Sequence, residues 1–216
     1  MVYRDVTREQ LVRLVTEAVK REFHGAMQVP TGISVRHIHL GREHVERLFG
    51  PGYRLTEKKP LSQPGQFACE ETLDVTGPKG TISRVRVLGP ERKQSQVEVA
   101  FSDARVLGVN PPVRASGDLS GTPGILLTGP YGQVELREGV IIADRHIHMT
   151  PEDAVRFGVT DGELVEIHVG GVKGGSMERV RIRVSASSAL DFHIDTDDGN
   201  AFMLVQGQMV TVVKRQ

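Results

Sequence analysis

The chain is 216 residues long, its 27 Lys and Arg balance 27 Asp and Glu, and it has one cysteine, Cys69. Zero net charge excludes the broad basic face that nucleic acid or an anionic membrane requires, while leaving room for a local basic groove that takes a phosphorylated small molecule. A single cysteine excludes an internal disulfide and a thiolate zinc site, and no stretch is apolar for long enough to span a bilayer, so the expectation is a soluble, cytoplasmic protein.

Residues 6 to 23 predict an amphipathic helix. Leu11, Leu14, Val15, Ala18, Val19 and Phe23 follow helical spacing, Thr7 and Gln10 fit a capping box, and His24-Gly25 supplies a stop. Next comes Arg36-His37-Ile38-His39. Alternate residues of a strand share a face, so this segment aims two imidazoles at one point, and neutral imidazole is the commonest protein ligand for zinc. A short polar helix containing His44 is predicted to follow. Alternating runs then predict strands at 82–88, 97–101, 134–136, 164–169, 180–184 and 190–194, with hairpin tips at Gly77 to Gly80 and Gly129 to Gly132. The 24 glycines and 11 prolines suit such turns and fit no helical bundle.

Within these strands, Arg84, Arg86 and Leu88 alternate onto one face, with Arg92 and Lys93 beyond Gly89-Pro90. This is a candidate phosphate wall, or an ordinary solvated basic face. Val97, Val99 and Phe101 are expected in a core, which turns Glu98 away from it as a candidate oxygen ligand or an ordinary surface glutamate. Residues 107–124 read as a loop. Arg145-His146-Ile147-His148 then repeats the first motif half a chain later, followed by a helix start at Thr150-Pro151 and a stop at Gly158. In the last run Leu190, Phe192 and Ile194 take one face while Asp191, His193 and Asp195 take the other, and a carboxylate beside His193 could orient its second ring nitrogen. His168 is expected in solvent and Cys69 as a buried, inert thiol. The segment from Asp195 to Asn200 fails as an EF-hand, because Gln206 stands where a glutamate is needed. The whole predicts a mainly β chain: two β-barrel units related by duplication and capped by short helices, preceded by the N-terminal amphipathic helix.

Taken together, the segments Val29–Leu40, Asp144–Asp153, Ser116–Gly124 and Asp195–Ala201 resemble the signatures of the propanediol-utilization-type phosphotransacylases, and the likeness runs from about residue 29 to the C-terminus. The resemblance implies a helix-capped double barrel in which residues 25–35 join 144–216 in one barrel and 36–143 form the other, with residues 1–24 as a separate helix. It implies a phosphate acyltransferase that exchanges short acyl groups between coenzyme A and inorganic phosphate at two zinc ions per chain. By position, His37, His39, Glu98, His146, His148 and His193 would hold the metals. Arg92 would act on phosphate, Gln66 would lie near the reacting groups, and Ser34, Lys59, Arg86, Leu88 and Asn200 would line the coenzyme A site. The pair Asp198-Gly199 departs from the more helical pair expected before Asn200. The family also implies that the N-terminal helix can direct the enzyme into a bacterial microcompartment, to shell or luminal proteins, and that the chain can be a homo-oligomer. A zinc-dependent hydrolase and a non-catalytic metal-binding scaffold are the alternatives. Against the first, the His-x-His-x-Asp-His pattern is missing and the long alternating helices of a (β/α)₈ barrel are absent.

Overall fold

The computed structural model describes residues 7–16 and 27–214, and helix α1 spans 8–16. It opens on the predicted capping box: Thr7 N–H donates to Gln10 Oε1 at 3.0 Å, and Gln10 N–H donates to Thr7 Oγ1 at 3.2 Å. The remainder of the predicted helix, with His24, lies outside the described residues. Within the described part of α1 the apolar stripe is exposed: Leu11, Val12, Leu14 and Val15 are each more than half exposed.

Numbered along the chain, six strands close a barrel: β1 (Gln28–Ser34), β11 (His146–Met149), β12 (Leu164–Val169), β13 (Gly175–Val184), β14 (Asp191–Asp195) and β15 (Met209–Val213), in the order β1-β14-β11-β13-β12-β15. The other nine strands make one sheet: β2 (His37–Gly41), β3 (Glu57–Pro60), β4 (Phe67–Thr76), β5 (Thr81–Arg92), β6 (Gln96–Glu98), β7 (Val113–Arg114), β8 (Ile125–Thr128), β9 (Gln133–Leu136) and β10 (Val140–Ala143). Its order is β7-β10-β6-β2-β5-β4-β8-β9, with β3 on β4, and it curls without closing. Each unit has its own core, one around Ile38, Leu40, Val87 and Leu127, the other around Ile147, Phe157, Ile167 and Phe192. Both predicted hairpin tips are present, with Gly77 N–H donating to Gly80 O and Gly129 N–H to Gly132 O, each at 2.9 Å. Four helices cap the strands: α2 (Arg42–Phe49), α3 (Phe101–Leu107), α4 (Pro151–Phe157) and α5 (Thr196–Ala201). Helix α4 starts at a Thr150 cap and stops at Gly158, whose φ of 62° is the left-handed conformation glycine favours.

The two units repeat each other in register. Parallel pairing sets His37 opposite Arg86 and His39 opposite Leu88 between β2 and β5; between β11 and β13 it sets His146 opposite Arg181 and His148 opposite Arg183. On the other edge, antiparallel pairing sets His37 opposite Glu98 and His146 opposite His193. Even the irregularity recurs: Arg84 and Arg179, each two residues before the paired arginine, have φ of 59° and 60°. The arginine before each His-x-His pairs with an aspartate of a capping helix, Arg36 with Asp103 at 2.8 Å and Arg145 with Asp198 at 2.6 Å.

Two expectations need correction. The strand predicted over 97–101 ends at Glu98, and Phe101 is not core but opens α3, 56% exposed. Asp103 accepts from Ala100 N–H at 3.3 Å and so favours a helix start where alternation alone suggests more strand. Residues 107–124 are a loop interrupted by the two-residue β7. The departure at Asp198-Gly199 leaves α5 formed: Asp195 caps Asp198 N–H at 2.8 Å, and a Cβ at Gly199 would lie only 3.1 Å from Ile33 Cδ1.

Candidate active site

The strand pleat that buries Ile38 and Ile147 turns their flanking histidines to the opposite face, and the neighbouring strand adds a third group to each pair. Among the described residues, His37, His39 and Glu98 form one cluster, and His146, His148 and His193 form another; in each the donor atoms lie within 4.8 Å of one another. Both clusters line a single cavity of about 810 Å³. Glu98, an ordinary surface glutamate on sequence grounds alone, is buried, with Oε2 at 3.5 Å from His37 Nε2 and Oε1 at 3.9 Å from His39 Nε2. In the second cluster the Nε2 atoms of His146 and His148 are 3.0 Å apart.

The outer ring nitrogens are fixed from behind. His37 Nδ1 meets Val35 O and His146 Nδ1 meets Asp144 O, both at 2.8 Å, which leaves each Nε2 to face the cavity. His193 Nε2 lies 2.9 Å from the buried Asp191 carboxylate, leaving Nδ1 for the cluster. His39 Nδ1 is buried and has no hydrogen-bond partner among the described residues. Burial, followed by repulsion from His37 and Arg92, lowers His39 to about 3. Burial likewise holds His146 at about 4 and His148 at about 3. These rings are neutral near pH 7, the state in which imidazole ligates a metal. Burial pulls His37 down as well, but the Glu98 charge outweighs it and its pKa is raised; burial pushes Glu98 up, and His37 and His39 hold it below the carboxylate range. Five imidazoles and a carboxylate without thiolate, backed by carbonyls and a carboxylate, fit zinc or a similar divalent metal at each cluster.

Arg92 lies on the same cavity, half-buried, with its pKa lowered by desolvation. Its Nη1 donates to Ser116 Oγ at 2.9 Å, and Ser116 donates in turn to Glu98 Oε1 at 3.0 Å. Gln96 braces this chain, donating to both Glu98 Oε1 and Ser116 Oγ. Ser34, Lys59, Gln66, Arg86 and Leu88 also line the cavity. The Arg86 guanidinium is held by Cys69 O and Glu70 O at 2.9 and 2.8 Å. Asn200 is not brought among the lining residues; it is exposed near the end of α5.

His168 is exposed, as expected, and His44 Nδ1 contacts Ser95 Oγ at 2.7 Å away from either cluster. Cys69 is fully buried, and desolvation raises its thiol to about 12. Sequence reasoning missed Ser116, Gln96 and Arg183, all part of this site or its rim. Alternation in 180–184 signals that Arg183 faces away from Ile182 and the core. Nothing local signals Ser116, because its partners lie on β5 and β6.

The family model described as phosphate propanoyltransferase matches residues 30–205. A phosphate propanoyltransferase of Thermotoga maritima is 54% identical over 184 residues, 85% of this chain and 88% of the relative. One from Rhodopseudomonas palustris is 50% identical over 188 residues, 87% and 83% of the two chains. One from Clostridioides difficile is 45% identical over 207 residues, 96% and 99% of the two.

Proposed function

The chain belongs to the phosphate propanoyltransferase family, and from that premise we propose that it is a phosphate acyltransferase exchanging a short acyl group between coenzyme A and inorganic phosphate at a pair of zinc ions. His37, His39 and Glu98 would hold one ion and His146, His148 and His193 the other. The observation that carries this reading is that both donor clusters and Arg92 line one cavity. Bound there, the ions would supply positive charge and Lewis acidity to an oxygen of the phosphate or the thioester.

The chain's own residues account for the remaining requirements. Phosphate is largely dianionic near neutral pH and already nucleophilic, so neither a base nor an acyl-carrying residue is needed. The chemistry is one of placing a phosphate oxygen against the thioester carbonyl, forming the C–O bond and releasing coenzyme A thiolate. Arg92, with one N–H on Ser116, keeps its other donors for phosphate. Gln66 offers an amide N–H to the oxyanion that develops on the carbonyl. Lys59 and Arg86 would meet coenzyme A phosphates, Leu88 its apolar arm and Ser34 a polar group. The Cys69 thiol, buried and raised to about 12, takes no part. In the same reading, residues 36–143 form one working unit and residues 25–35 with 144–216 the other, each bringing one metal cluster. The exposed stripe of α1 supports docking to a microcompartment shell or luminal enzyme. No helix among the described residues is long and apolar enough to cross a membrane.

The deciding experiment follows acyl-coenzyme A breakdown, with and without phosphate, by protein of measured metal content. Close to two zinc equivalents and phosphate-dependent release are expected. Release without phosphate would make it a hydrolase, and metal without release a scaffold.

A further inference from the structure

A second cavity, of about 500 Å³, adjoins the first and shares Gln63, Gln66, His148 and Arg183 with it. None of the residues expected at coenzyme A lines it. Its wall carries Arg181, Arg183 and the hydroxyls of Ser185, Ser187 and Ser188. Its one carboxylate, Asp161, accepts from Val184 N–H at 2.8 Å. Arg181 is tethered, with Nε 3.5 Å from Asp144 Oδ2 and Nη1 3.4 Å from Gly162 O. The Arg183 side chain makes no hydrogen bond or ion pair with any described residue, though it is half-buried at the junction of the two cavities.

The duplication makes this arginine distinctive. Leu88 and Arg183 hold equivalent places, each opposite the second histidine of its motif. The repeat has therefore become apolar on the side of the larger cavity and cationic on the side of the smaller one. Arg183 also stands close enough to Arg92 on the larger cavity for the two guanidinium charges to repel. An unpaired guanidinium facing a second cation in a half-buried space is a site that a small dianion relieves.

We propose that the smaller cavity is a separate anion port, through which inorganic phosphate enters and acyl phosphate leaves under the guidance of Arg183 while coenzyme A occupies the larger cavity. The port rests on the acyltransferase reading and adds to it that phosphate exchanges without coenzyme A leaving. Arg183 hands the anion to Arg92 across the shared wall at Gln66.

The test uses metal-loaded enzyme saturated with coenzyme A, titrated calorimetrically with inorganic phosphate, alongside steady-state KM values for both substrates. Arg183→Ala should weaken phosphate binding and raise the phosphate KM roughly ten- to a hundredfold, the scale of one lost charge-assisted contact, with the acyl-coenzyme A KM and metal content unchanged. Arg183→Lys should recover part of the loss. Ser187→Trp, which narrows the port from its exposed rim, should raise the phosphate KM alone. Unchanged phosphate affinity in Arg183→Ala together with an unchanged phosphate KM in Ser187→Trp, or an equal rise in the acyl-coenzyme A KM, would overturn the port while leaving the acyltransferase reading intact. A wild-type enzyme that binds phosphate through Arg183 yet releases no coenzyme A with it would sustain the anion site and remove the acyltransferase reading instead.

Discussion

Arg92 commits one N–H to Ser116 and spends the rest of its fork on the cavity, so its removal should cost chemistry rather than fold. Arg92→Ala is expected to lower turnover by roughly a hundred- to a thousandfold, the usual effect of losing an electrostatic stabiliser, with thermal stability and metal content near wild type. Lysine should rescue poorly, because an ammonium cannot make a two-pronged contact. Gly32 serves the second cluster by lacking a side chain: a Cβ there would sit 2.8 Å from His193 Cδ2 and 2.9 Å from Asp191 Oδ2. Gly32→Ala should therefore displace His193 and lower the metal content towards one equivalent while the first cluster keeps its ion, as elemental analysis would report. Cys69 gives the pH dependence. Folding raises its thiol from 9.0 to about 12, so the folded state holds the proton more tightly than the unfolded one. Its contribution is fully present below pH 9 and is lost as pH rises from there towards about 12. Cys69→Ala should flatten that limb of the stability curve, and native protein should resist iodoacetamide at pH 8.

At the scale of elements, α1 is distinguished by the apolar side chains it leaves exposed. The stripe of Leu11, Val12, Leu14 and Val15 on its described residues is exposed. Deleting residues 1–16 should leave the melting temperature and turnover unchanged, and a fusion of residues 1–24 to a fluorescent protein should co-purify with compartment shells. A marked fall in melting temperature on deletion would mean that the helix docks on its own protein. The capping box of α1 and the Thr150 start of α4 were legible because both are written within four residues. The Phe101 error has the converse cause. Val97, Val99 and Phe101 keep the strand period, but the chain turns into α3 where Asp103 caps it, and a period of two cannot register that switch.

At the scale of the whole molecule, each donor cluster is built within one unit, and few polar contacts lock the units together. The buried Gln63 amide exchanges hydrogen bonds with Ala189 O at 2.9 Å and Ala189 N–H at 3.2 Å, and Ser102 binds Asp197 with both its N–H and its Oγ. Metal occupancy should accordingly be separable. Replacing His37 and His39 together with alanine is expected to remove about one equivalent, leave His146, His148 and His193 loaded, and abolish turnover, since placing the reactants needs both clusters. On the proposed two-metal reading, chelation of wild type should lower the melting temperature, because ions held only by the folded state would stabilise it.

By itself the sequence determined the β class, the duplicated His-x-His strands, the basic strand face and the starts of α1 and α4, since each is a local period or cap readable from neighbours along the chain. Only the tertiary structure decided that Glu98 is buried beside His37 and His39, that Ser116 joins it to Arg92, that Asn200 stays at the surface and that the Arg183 side chain has no partner among the described residues. That β1 closes a barrel with strands more than a hundred residues away was implied by the family resemblance and has no local signal in the chain. Those outcomes follow from strand pairing and desolvation between distant segments, whose register is set by the competition of whole faces for burial and leaves no mark in any single stretch of the chain.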